Sequence, residues 1–149
     1  MNYTHQIKTF EELTNTELYD LLKLRSEVFV VEQNCVFLDL DDKDQSCYHL
    51  LLRQDDQLAA YVRIVPAGVT FKEVSIGRVV TSPATRGSGL GRVVMELGIK
   101  ACQELFGNES IKIGAQCYAL KFYNSLGFKE VGEVYDEDGI DHIHMMLEH

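Results

Sequence analysis

The stretch SIGRVVTSPATRGSGLGRVVMELG, residues 75–98, decides how this chain reads. An apolar, β-branched run closes on Ser82-Pro83. Arg86-Gly87-Ser88-Gly89-Leu90-Gly91 then sets glycines at alternate positions behind an arginine, and helical spacing begins at once. Backbone without Cβ lets a ligand lie against the chain, and the free N–H groups of a first helical turn point at it. The helix dipole there favours an anion, so a pyrophosphate is the natural guest. A plain glycine turn accounts for one glycine but not for this alternation. Two familiar loops do not fit. A Walker loop needs Gly-Lys-Ser/Thr where Arg92-Val93 stands, and a dinucleotide fingerprint spaces its last glycines further apart and opens a βαβ unit.

Working outward from that loop gives an order of elements. YTHQIKTF alternates weakly as a first strand, and TNTELYDLLKLRSEVFVVEQ, capped by Thr14 or Thr16, predicts a helix from about Glu17 to Val31. Residues 33–46 form a long acidic loop of the kind that is often functional. CYHLLLRQ and QLAAYVRIVP bracket Asp55-Asp56 as a hairpin, and FKEVSIGRVVTS reads as a further strand, central in its sheet. Leu90 to Phe106 predicts a helix stopped by Gly107, SIKIGAQ a buried strand, and YALKFYNSLGF a short helix closed by Gly127. The end folds as two strands joined around Asp138-Gly139. The fold class is therefore α/β of the mixed α+β kind, β-α-(loop)-β-β-β-α-β-α-β-β, with a mixed central sheet of about seven strands.

Composition narrows the function. The chain has 149 residues and 46% hydrophobic content, which suits one domain with a real core, taken as residues 1–146. A formal charge of −9 argues against a nucleic-acid partner and leaves room for cationic small molecules. Cys35, Cys47, Cys102 and Cys117 show no Cys-x-x-Cys pair, so they read as the reduced thiols of a cytoplasmic protein. No signal peptide or membrane-length apolar run is visible, and no membrane partner is expected. The final Leu147-Glu148-His149 resembles a tag remnant and is given no role.

A second constellation lies 30 residues beyond the glycine loop, in AQCYALKFYNSLGF. Arg86, Gly89 and Gly91 fit Gln/Arg-x-x-Gly-x-Gly, while Ala119, Phe122, Tyr123, Gly127 and Phe128 fit Ala-x-x-Phe-Tyr-x-x-x-Gly-Phe. Together they resemble the GNAT superfamily of acyl-CoA N-acyltransferases. LRSEVFVVEQNCVFLDLDDKD, IGRVVTSPATRGSGLG and YDEDGIDHIHM extend the resemblance, to the ElaA-like branch, over nearly the whole chain. Gln116 stands where many members carry an asparagine.

The resemblance implies acetyl-CoA as donor and a primary amine of a small molecule or peptide as acceptor. On that reading the backbone of Val79, Val80 and Thr81 pairs with the pantetheine arm. The amides of Gly87, Ser88, Gly89, Leu90, Gly91 and Arg92 hold the pyrophosphate, with the Arg86 and Arg92 side chains as counter-charges. A backbone N–H at Val79 or Val80 serves the oxyanion, and Tyr123 is the family's usual acid to the leaving thiolate. Gln116 is a further cofactor contact. Glu73 or Glu32 takes the proton of the incoming ammonium through water, and the sequence does not choose between them. Acidic residues at 39–44 and 136–138 would attract a cation. The competing class is a GNAT-shaped protein that holds acyl-CoA without turnover. Homodimerisation stays open.

Three features carry weaker alternatives. His142 and His144 alternate on a strand and share a face, but no third ligand at sensible spacing accompanies them, so no metal is expected. Asp39, Asp41, Asp42 and Asp44 resemble a calcium loop, yet Lys43 takes a ligand position and no glycine follows, which favours a solvated or substrate-facing loop. Arg25, Glu27 and Glu32 read as surface charge, with Glu32 the exception to watch.

Overall fold

The computed structural model describes residues 2–148. Strand β1 (Tyr3–Thr9) leads to α1 (Asn15–Arg25), whose start is set by a capping box. Thr14 Oγ1 accepts from the Glu17 amide while Glu17 Oε1 accepts from the Thr14 amide at 2.9 Å, satisfying two orphan donors. The expected single helix changes character after Arg25. Ser26–Glu32 continues as a π-helix, in which each turn holds an extra residue, a form that clusters at functional sites.

Strands β2 (Tyr48–Gln54) and β3 (Gln57–Val65) form the expected hairpin, with Asp55 and Asp56 both at positive φ in the turn. Strand β4 (Ser75–Thr81) pairs with β3, completing the antiparallel order β1-β2-β3-β4. Helix α2 (Leu90–Phe106) ends at Gly107, and β5 (Ile111–Gln116) follows. A turn at Cys117–Ala119 enters α3 (Leu120–Ser125), after which Gly127 takes φ 100°. The end holds one strand more than expected. Short β6 (Lys129–Glu130) and β7 (Tyr135–Glu137) both pair with β8 (Ile140–Leu147), which also pairs with β5. Leu147, assigned from sequence to a tag remnant, pairs with Ile111 in this strand, and His149 lies outside the described residues.

Period-two alternation sorts the central strands between two layers. Leu50, Leu52, Ala60, Val62 and Ile64 face the core under α2, whereas Leu51 and Tyr61 face the cluster under α1 with Leu21 and Leu24. β4 is the edge of the first sheet, yet it sits in the middle of the molecule. It meets β5 in parallel at Val74 and Ile111, where the Lys112 amide donates to Val74 O at 2.9 Å. Beyond that junction the two strands part, and a cleft opens between the two sheets.

Candidate active site

The cleft begins with a bulge. β4 pairs Val80 with Tyr61 and Gly77 with Arg63, so Arg78 and Val79 together oppose the single residue Val62. Arg78 takes φ 50°, uncommon for a residue with a side chain. An extra residue re-aims the strand, and it does so where β4 leaves β5. Ile76 to Val79 on one wall and Ile113, Gly114 and Gln116 on the other line a cavity of about 140 Å³. Val79 is thus on the cleft. Val80 is buried on the α1 side, and Thr81 lies beside the glycine loop, its Cγ2 3.5 Å from where a Cβ on Gly91 would stand.

The glycine loop has the conformation that its composition demands. Gly87 and Gly89 both take φ 83°, and a Cβ on either would meet open space. Gly89 is the N-cap of α2 and has no side chain to cap it, so the first-turn amides of Leu90, Gly91 and Arg92 are left to another partner. That cradle fits a phosphate group. The two arginines expected as counter-charges are already engaged. Arg86 makes a bidentate ion pair with Glu32 at 2.6 and 2.5 Å. Arg92 Nη1 donates to Ser125 Oγ at 2.8 Å at the end of α3.

Tyr123 lines the cavity from α3, and its ring packs edge-on against Phe122 and Phe128. Burial, with the neighbouring Tyr118 phenol adding to it, pushes the Tyr123 phenol well above its ordinary value. It is therefore a proton donor at neutral pH. Gln116 lies across the same cavity and exchanges amide hydrogen bonds of 3.3 and 3.4 Å with Gln33.

Neither carboxylate considered as a base lines the cleft. Glu73 lies in the bend before β4, and Glu32 is held by Arg86, whose hydrogen bonds keep its carboxyl below the usual range. The carboxylates that do line it are Glu137 and Asp138, in the turn between β7 and β8. Both belong to the acidic group at 136–138 that the sequence points to as drawing in a cation, and neither is the base that it suggests.

The acidic loop departs most from expectation. Asp39 and Asp44 are buried, not solvated, and Arg25 is wholly buried, not surface charge. Arg25 Nε donates to Asp39 Oδ2 at 2.9 Å and Arg25 Nη1 to Asp44 Oδ1 at 2.7 Å. Arg63 holds both oxygens of Asp41, at 2.8 and 2.7 Å, and reaches Asp44 Oδ1 at 3.0 Å. Arg78 Nε stands 2.8 Å from Asp39 Oδ1, an ion contact whose angle is not that of a hydrogen bond. Burial would raise the Asp41 carboxyl, but its bonds from Arg63 override that and hold it far below the ordinary range. Every other residue of the extended segment turns inward to these arginines, leaving Val36, Leu38 and Leu40 outside. A segment neutralised in this way does not draw in a cation. A sequence shows the charges but not which of them meet.

Beyond the bulge a second cavity of about 410 Å³ shares Ile76, Gly77, Arg78 and Gly114 with the first. Gly114 has no Cβ for a visible reason, since one would lie 2.9 Å from the Tyr135 hydroxyl. His142 and His144 have separate partners. The His142 ring bonds Ile140 O at 2.8 Å, and the His144 ring packs against Tyr135 and Phe71. Among the described residues no three His, Cys, Asp or Glu converge on a metal-sized site, and no helix is long and apolar enough to cross a membrane.

A cleft between parting parallel strands, a bulge on one wall, and an uncapped glycine-led helix at its mouth define an acyl-CoA N-acyltransferase scaffold. Residues 14–149 match the acetyltransferase (GNAT) domain, and the chain belongs to that family. It is 42% identical to protein ElaA of Escherichia coli over 92% of this chain and 91% of that one. The crystal structure of E. coli ElaA superposes with a TM-score of 0.92, covering 99% of this chain and 100% of that one at 40% identity. An acyl-CoA N-acyltransferase from Pseudomonas aeruginosa gives the same TM-score of 0.92 at 40% identity, over 98% of this chain and 99% of that one. A GNAT family acetyltransferase from Elizabethkingia anophelis, solved with acetyl-CoA bound, shares the fold alone, with TM-score 0.67 and 16% identity over 99% of this chain and 98% of that one.

Proposed function

We propose that the chain moves an acetyl group from acetyl-CoA to a primary amine by direct attack within a ternary complex. The observation that carries this is the facing of the Arg78-Val79 bulge and Tyr123 across one cavity. Acetyl-CoA supplies the activated thioester. The amides from Gly87 to Arg92 hold its pyrophosphate, the backbone of Val79 to Thr81 pairs with its pantetheine amides, and Gln116 makes a further contact. Arg86 joins the phosphate contacts once it leaves Glu32.

The remaining steps use groups on the cleft walls. Glu137 takes the proton of the acceptor ammonium through water, because it lines both cavities where Glu73 and Glu32 line neither. The amine nitrogen then forms a bond to the thioester carbon, and the Val79 amide donates to the oxygen that gains charge. As the C–S bond breaks, the Tyr123 hydroxyl gives its proton to the departing sulfur, the attacking nitrogen releases its second proton to solvent to leave a neutral amide, and Tyr123 recovers a proton from solvent. Products are the acetylated amine and free CoA.

The test is CoA release over a panel of primary amines, with acetyl-CoA binding measured by calorimetry alongside. Amine-dependent release is expected. Tight binding with no release from any amine would leave a protein that holds acyl-CoA without turnover.

A further inference from the structure

The cleft carries an uneven set of charges once its internal ion pairs are removed. Arg25, Arg63 and Arg78 meet Asp39, Asp41 and Asp44, three cations against three carboxylates. The other charged residues lining the two cavities are Lys43, Glu137 and Asp138. Their placement is ordered. Tyr123 lines only the first cavity, Glu137 and Asp138 line both, and Lys43 lines only the second. A path inward from the leaving-group acid therefore meets two carboxylates first and one ammonium afterwards.

We propose that the acceptor is an amine that also carries a carboxylate, with its ammonium at Glu137 and Asp138 and its carboxylate at Lys43. This rests on the acyl-transfer reading above and names the substrate class for the same site. Asp41 pairs with Arg63 through both oxygens at 2.8 and 2.7 Å, and among the described residues no carboxylate forms an ion pair with the Lys43 ammonium. The contact Asp41 makes to Lys43 is through the backbone, where the Lys43 amide donates to Asp41 Oδ1 at 3.1 Å. One half-buried ammonium, without a guanidinium fork beside it that is free, suits a single negative charge. The volume is appropriate, since 410 Å³ lies within the ~300–1,000 Å³ span of small-molecule sites. Phe37, Phe71 and Tyr135 supply apolar walls between the two charged ends. His144, on the same lining, is held toward its neutral form by burial and by Lys112, so it adds no second cation there.

The experiment is CoA release with matched acceptors: glycine, β-alanine and longer ω-amino acids, each beside its amide and beside the diamine of equal length. The acids should exceed their amides in kcat/KM by about tenfold or more, mainly through KM, since an ion contact in a cleft is worth at least that. Lys43→Ala should collapse this ratio, Lys43→Arg should keep most of it, and Lys43→Glu should shift preference to the diamines. Amides used as well as acids, or an acid preference that survives Lys43→Ala, would overturn this inference while acyl transfer stood. Release from other primary amines but from no member of this panel would overturn this inference alone, whereas release from no primary amine at all would fail the acyl-transfer reading and this inference with it.

Discussion

Glu32 and Arg86, 54 positions apart, close a bidentate ion pair between the end of the π-helix and the glycine loop. Next to it, Gln33 pairs with Gln116 at 3.3 and 3.4 Å, and the Cys35 thiol donates to Asp138 O at 3.2 Å. Two side chains proposed to hold acetyl-CoA are thus occupied by neighbours on one short segment. A donor must exchange these contacts for its own.

Glu32→Gln should therefore tighten acetyl-CoA binding. The pair is about half exposed, and exposed pairs are weak, so the expected gain is only about two- to fivefold. Arg86→Ala should weaken binding. Calorimetry on both variants checks the idea, and a weaker Glu32→Gln would show that Glu32 positions Arg86 for the phosphate instead of competing for it.

Gly89→Asp places a carboxylate over the uncapped start of α2. The space around Gly89 is open, so the variant should fold, although its φ of 83° adds strain. Like charge against a pyrophosphate should weaken acetyl-CoA binding by more than tenfold, ~1.4 kcal/mol. Unchanged affinity in a folded variant would remove the phosphate from this loop.

These two loops also mark what the sequence made legible. Regular alternation exposed the Asp55-Asp56 hairpin, helical spacing bounded α2 at Leu90 and Phe106, and alternate glycines marked its uncapped start. Such signals are local. The pairing of Arg25 with Asp39 and Asp44 spans 14 and 19 positions, and no periodicity announces it. The same holds for the cleft. Glu73 is near β4 in sequence but not on the cavity lining, whereas Glu137 arrives there because β7 folds onto β8. Short β6 escaped notice because two residues show no alternation.

Arg25→Ala tests the buried network. Removing one partner of a buried ion cluster leaves charge uncompensated and costs about 3–5 kcal/mol. Urea unfolding should show a loss of that order, and a loss under ~1 kcal/mol would mean that Arg63 and Arg78 suffice for all three aspartates.

Stability should fall as the solution is acidified, in two windows. Burial holds the His49 ring below its ordinary value, against its bond to Asp44 O at 2.9 Å. The unfolded chain then binds a proton that the folded one resists, so stability is lost from about pH 6.5 downward. Asp41 and Asp44 are depressed as carboxylates, despite burial, by Arg63 and Arg25. Their contribution is present above about pH 3.9 and is lost as pH falls toward their folded values. Unfolding midpoints measured from pH 7.5 to 3 should decline across both windows, and the upper slope should shrink in His49→Gln, the remainder belonging to His144, whose ring is also held toward its neutral form. A flat profile between pH 6.5 and 5 would remove His49 from the account.

Tyr123→Phe is the most direct test of the chemistry. The phenol lines the same cavity as Val79 and Gln116, and burial keeps it protonated at any pH the protein would work at. It therefore has the correct state to give a proton to a departing thiolate. A CoA thiolate is only moderately basic and leaves without much help, so the gain should lie near the lower end of the ~10²–10⁴-fold range of general acid catalysis. Phenylalanine keeps the ring and its edge contacts with Phe122 and Phe128, which limits any effect on folding. The turnover number should fall by roughly a hundredfold while acetyl-CoA affinity changes little, because the hydroxyl acts mainly in the transition state. If Tyr123 only packs, Phe would turn over almost normally. A fall in affinity equal to the fall in turnover would instead make it a binding residue.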